Sequence, residues 1–192
     1  NEDDATVNHD DDVAGDDDSA FNAARGDDDG MYDALGDVPE FTSRVWYGYQ
    51  RYQQALAELL PASQQPMLVP TALAFLVVWE ENSDFWLRLF YDDGYHPTPH
   101  GAFLLGCCLY AALYRKLPPL SDDADELFRN IRRFQSENMG DNRPLPTVSE
   151  MYTLASVAER VVLQNYIPST LLSAETIAAM EAADAAEDAY NN

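Results

Sequence analysis

The stretch from Thr98 to about Arg115 limits most strongly what this chain can fold into. Thr98 is a good helix cap and Pro99 suits the first helical position. The helix they open carries Phe103, Leu104, Leu105, Cys107, Cys108, Leu109 and Leu113 on nearly every face. A helix apolar all round has to be buried on several sides, so a sheet or further helices must cover it. A chain of 192 residues, 46% of them hydrophobic, is long enough to supply one domain with a sizeable core.

The neighbouring segments show what that cover consists of. From Thr42 to Leu60 apolar side chains recur every three or four residues (Val45, Tyr49, Tyr52, Leu56, Leu59), which predicts a one-faced helix stopped by Pro61. The aromatic residues Trp46, Tyr47, Tyr49 and Tyr52 suggest a carbohydrate platform at first sight. Tyr49 and Tyr52 share the stripe of Val45 and Leu56, however, and core packing is the expectation. Met67-Leu68-Val69, between Pro66 and Pro70, reads as a buried strand, and Thr71 to Glu80 as a short helix apolar almost all round. Ser121 caps an expected helix with an acidic first turn, a basic end and an inner stripe of Leu127, Phe128, Ile131 and Phe134. Thr147-Val148-Ser149-Glu150 is a capping box that opens another helix, with Leu154, Val157, Ala158, Val161 and Val162 inward. One strand among strongly apolar helices points to the second half of an α/β domain.

Charge divides the chain differently. The total is 34 acidic against 11 basic residues, a net of -23, which argues against nucleic acid and against an anionic membrane surface. No apolar run approaches the roughly 18 residues of a membrane span. Residues 1–37 hold fourteen of the acidic residues and a single basic one, Arg25. That composition predicts a disordered tail or an insertion, whose charge would suit a basic protein partner. Within it Asp10-Asp11-Asp12-Val13-Ala14-Gly15 is a poor calcium loop, since Ala14 and Phe21 stand where oxygen ligands belong. The domain proper is expected over 38–166, followed by an acidic, Ala-rich tail at 167–192. Cys107 and Cys108 are sequence neighbours without a metal-type spacing, and two reduced, buried thiols are expected.

Chemistry concentrates in Tyr91-Asp92-Asp93-Gly94-Tyr95-His96-Pro97-Thr98-Pro99. An Asp three residues before a His, across a glycine turn, can set its carboxylate on the imidazole and stabilise the imidazolium formed when His accepts a proton. Asp92, Asp93, His96 and His100 also resemble a metal cluster. Pro97 and Pro99 prevent one helix from carrying both imidazoles on a common face, so no metal is expected. His100 is then a surface residue at a helix start, and His9 a solvated one. Trp79, Phe85 and Trp86, near the motif in sequence, could wall a substrate pocket, with plain packing the simpler expectation.

Residues 64–114 resemble the last block of the SGNH (GDSL-type) hydrolase superfamily. The matching parts are the apolar strand with its proline (Met67-Leu68-Val69-Pro70), the helix Thr71 to Trp79, the turn Asp93-Gly94-Tyr95-His96-Pro97 and the apolar helix from Gly101-Ala102-Phe103-Leu104 onward. The flanking helices with Gly48-Tyr49 and from Thr147 extend the resemblance to Val38–Gln164. It implies a three-layer α/β/α, flavodoxin-like domain, of which this chain holds the mostly helical C-terminal part. It also implies an ester hydrolase, esterase or acetyl esterase in class, acting on a small-molecule or carbohydrate ester without a cofactor. Catalytic roles then fall on His96 and Asp93. The family's nucleophilic serine (Gly-Asp-Ser) and its oxyanion Gly and Asn blocks do not precede Asp93. Ser19, after Gly15-Asp16-Asp17-Asp18, has no apolar strand before it, and Gly140-Asp141-Asn142 comes after the histidine. This chain alone is therefore expected to be inactive, with the nucleophile upstream of Asn1. The alternative is a non-catalytic, acidic interaction or structural protein on a degenerate hydrolase scaffold.

Overall fold

A computed structural model describes residues 37–91, 94, 96–120 and 144–191. The acidic segment 1–36, the stretch 121–143 with its expected Ser121 helix and Gly140-Asp141-Asn142, and the motif residues Asp92, Asp93 and Tyr95 lie outside the described residues. What is described is mostly helical: α1 (Val38–Leu59), a 3-10 turn (Ala62–Gln64), α2 (Thr71–Glu81), α3 (Ser83–Leu87), α4 (Pro99–Tyr114), α5 (Val148–Ala158), a π-helical turn (Glu159–Leu163) and α6 (Ala174–Asn191).

The helix limits follow local chemistry. α1 has Pro39 in its first turn and ends just before Pro61. α4 starts where Thr98 accepts the Gly101 amide and ends at Arg115 in the left-handed conformation. In the capping box of α5, Thr147 accepts the Glu150 N–H at 3.2 Å, and Glu150 accepts the Thr147 N–H at 2.7 Å.

The apolar helices cover one another. α2 packs against α1, α3, α4 and α5, which is why Leu73, Ala74, Leu76, Val77 and Val78 on several of its faces are all buried. α4 lies on α2 and α5 through Leu104, Cys107, Cys108 and Ala111. Gly101 permits a close approach at its start, since a Cβ there would run into the Leu89 carbonyl oxygen. The opposite side of α4 is open: Leu109, Leu113 and Tyr114 are exposed. α6 packs along α1. Ile177 is fully buried, the Tyr47 hydroxyl donates to the Leu172 carbonyl at 3.1 Å, and the buried Ser43 hydroxyl accepts the Leu172 N–H at 2.9 Å.

Two expectations from the sequence fail here. Residues 67–69 form no strand. Among the described residues the sole β pairing is an isolated bridge between Phe90 and Pro97, and Met67 is half exposed. Tyr49, Tyr52 and Leu59 are not core residues, at 58%, 62% and 79% exposure. The buried face of α1 sits nearer its start, at Val38, Pro39, Thr42 and Ser43, with Trp46 against the core. No described helix is long and apolar enough to cross a membrane.

Candidate functional site

The described residues of the motif lie between α3 and α4, in a segment pinned at its base. The Thr98 N–H donates to the Leu89 carbonyl at 2.9 Å, and the Tyr91 N–H to the His96 carbonyl at 2.8 Å. The Thr98 hydroxyl donates to the Arg88 carbonyl. At the tip the Gly94 N–H donates to the Tyr91 carbonyl at 2.9 Å, and Gly94 takes a φ of 70°, a conformation that glycine adopts without steric cost. His96 is exposed beside this turn. Its expected partner Asp93 lies outside the described residues.

A three-way polar cluster fastens both ends of the loop to α5. The Arg88 Nη1 lies 2.7 Å from Glu150 Oε1. The His100 Nε2 lies 3.2 Å from Arg88 Nη2 and 3.3 Å from Glu150 Oε2. His100 is only 2% exposed, so it is not the surface residue that its place at a helix start suggested. The Phe85 ring meets it edge to face at 6.0 Å and also lies 5.3 Å from the Arg88 guanidinium carbon. Burial pushes the imidazole pKa below its ordinary value; the Arg88 charge adds to that, and the Glu150 carboxylate opposes it. A neutral ring can either accept from Arg88 or donate to Glu150 through Nε2, but not both. Burial acts to raise the Glu150 carboxyl, yet the Thr147 N–H and the Arg88 and His100 charges together hold it below its usual range. Sequence reasoning found Glu150 as a cap and missed Arg88 and His100 as its partners. One signal was available: His100 is the sole imidazole in a helix with no Asp, Glu, Lys or Arg.

Under the loop tip lies an apolar cavity of about 290 Å³. Phe41 and Val45 of α1, Ala72 and Phe75 of α2, and Phe90 and Gly94 of the loop contribute walls. Phe90 sits between Phe75 and Trp86, at centroid distances of 5.2 and 5.1 Å. Of the three aromatic residues near the motif in sequence, only Trp86 lines this space; Phe85 serves the polar cluster, and Trp79 packs on the core. Comparison with protein-family models, curated proteins and solved structures returns no match. The chemistry open to the site therefore has to be read from its own groups.

Those groups limit the choice. Among the described residues no three His, Cys, Asp or Glu side chains gather as a metal site. Cys107 and Cys108 are unpaired and buried, and burial pushes their thiols up to about 11 and about 12, far from a reactive thiolate at neutral pH. The described part of the motif thus sets an exposed His96 two residues from Gly94, which walls the apolar hollow.

Proposed function

We propose that this chain supplies the acid–base half of an SGNH-type ester hydrolase and the helical C-terminal part of its α/β/α domain. A serine outside the chain attacks the ester carbonyl, and the His96 imidazole takes the serine proton. His96 then returns that proton to the leaving alcohol, and Asp93 orients the ring throughout. Water releases the acyl group from the serine in a second round of the same proton transfers.

The observation that carries the proposal is the build of the loop. A general base has to be held in one place while its ring stays open to substrate. The backbone bonds between Leu89 and Thr98 and between Tyr91 and His96 fix the main chain that carries His96, and the residue is exposed, which supports the first need and is compatible with the second. The helical cover over α2 and α4, with one side of α4 left open at Leu109 and Leu113, supports a domain completed by further structure. The test is turnover of a short-chain p-nitrophenyl ester by the complete-length protein, with and without His96→Ala. A loss of about 10²-fold or more in kcat is expected for the variant; unchanged turnover removes His96 from the reaction and the proposal with it.

A further inference from the structure

We infer that the cavity under Gly94 holds the apolar acyl chain of a neutral ester, rather than an acetyl group or a free fatty acid anion. The word ester rests on the function proposed above; the preference for a neutral apolar chain rests on the cavity itself. Its volume of about 290 Å³ is nearly twice the ~150 Å³ of an apolar cavity that accepts benzene. An acetyl group would leave most of that space unfilled, and a void with no atoms on one side forfeits the dispersion contacts of its lining. A longer apolar acyl chain fills more of it.

The lining decides the charge of the guest. Among the described residues its lining side chains are aliphatic or aromatic apart from Thr42, Thr71 and the indole N–H of Trp86, and none of them is cationic. A carboxylate entering the hollow would lose hydration without gaining a counter-charge from these walls. A neutral ester avoids that cost. Hydrolysis converts the guest into the form that this hollow rejects, so the same electrostatics that admit the substrate expel the acid product.

The experiment is a titration of the 192-residue chain with methyl octanoate, followed by tryptophan fluorescence, since Trp86 borders the cavity against Phe90. Saturable binding is expected, weakened at least about tenfold for sodium octanoate and absent for methyl acetate. Ala72→Phe and Val45→Phe fill the space from two different helices, α2 and α1. Each is expected to weaken methyl octanoate binding at least about tenfold while the cooperative melt is retained. No saturation with methyl octanoate, equal affinity for octanoate, or undiminished binding in both folded variants overturns the inference. Binding needs no nucleophile, so a failed hydrolysis assay with intact, neutral-selective binding removes the hydrolase proposal and leaves the cavity assignment standing.

Discussion

Replacing Glu150 with Ala cuts the knot that holds the motif loop to the rest of the fold. The substitution removes a carboxylate that pairs with Arg88 at 2.7 Å, accepts the Thr147 N–H at 2.7 Å and meets His100 at 3.3 Å. Breaking a fully buried ion pair from one side costs about 3–5 kcal/mol. Here the Arg88 side chain is 32% exposed and recovers part of its hydration, which brings the estimate to about 2–3 kcal/mol. For a chain of this size that is a fall of roughly 4–12 °C in Tm. The cluster also sets a pH dependence. Both pKa shifts run downward, so in the range between its folded and unfolded values each group binds more protons in the unfolded chain, and stability falls on acidification. The His100 contribution is fully present above the ordinary imidazole value of about 6.5 and declines below it; the Glu150 contribution is lost further down, beneath the ordinary carboxylate range. Circular-dichroism melts between about pH 7.5 and about pH 5.5 separate the two, because, of this pair, His100 is the group whose ordinary range falls there. A His100→Gln variant should lose that part of the slope. A Glu150→Ala protein melting within about 1 °C of the parent, or a parent whose Tm rises on acidification across this window, refutes the reasoning.

Two further outcomes follow from packing. Gly101→Ala forces a methyl group against the Leu89 carbonyl, backbone against backbone, and is expected to cost about 1–3 kcal/mol or more in denaturant titration, because neither wall can rotate away. Leu109→Lys with Leu113→Lys, on the exposed side of α4, should raise the concentration at which the chain stays monodisperse in light scattering while stability moves by no more than about 0.5 kcal/mol per site.

Local chemistry was legible in the sequence; the reach of one element against another was not. Thr98-Pro99, Pro61 and the Thr147 box act on backbone groups within a turn of themselves, so the helix limits they announce are where the helices begin and end. Periodicity told a different kind of truth about α1. Its apolar stripe is real, but at 22 residues the helix runs about 33 Å, and the 11 residues of α2 span only about 16 Å. Tyr49, Tyr52 and Leu59 lie on the part that outruns its partner. Met67-Leu68-Val69 had the composition of a strand, yet a strand is defined by its neighbour, and none stands beside it among the described residues.

The polar cluster shows the same limit from the side of function. His100 and Glu150 are fifty positions apart, and no local pattern joins them, although each is conspicuous alone: one as the lone imidazole of an apolar helix, the other as a cap. Their meeting gives the loop its mechanical character. Arg88 precedes the loop, Thr98 and His100 follow it, and Glu150 reaches across from α5 to hold both ends. A turn held that way keeps His96 at a fixed place on the surface and sets Gly94 as a wall of the apolar hollow. In the hydrolase proposed above, His96 depends on Arg88 and Glu150 through the loop they hold, and loosening Glu150 should lower turnover before it unfolds the chain.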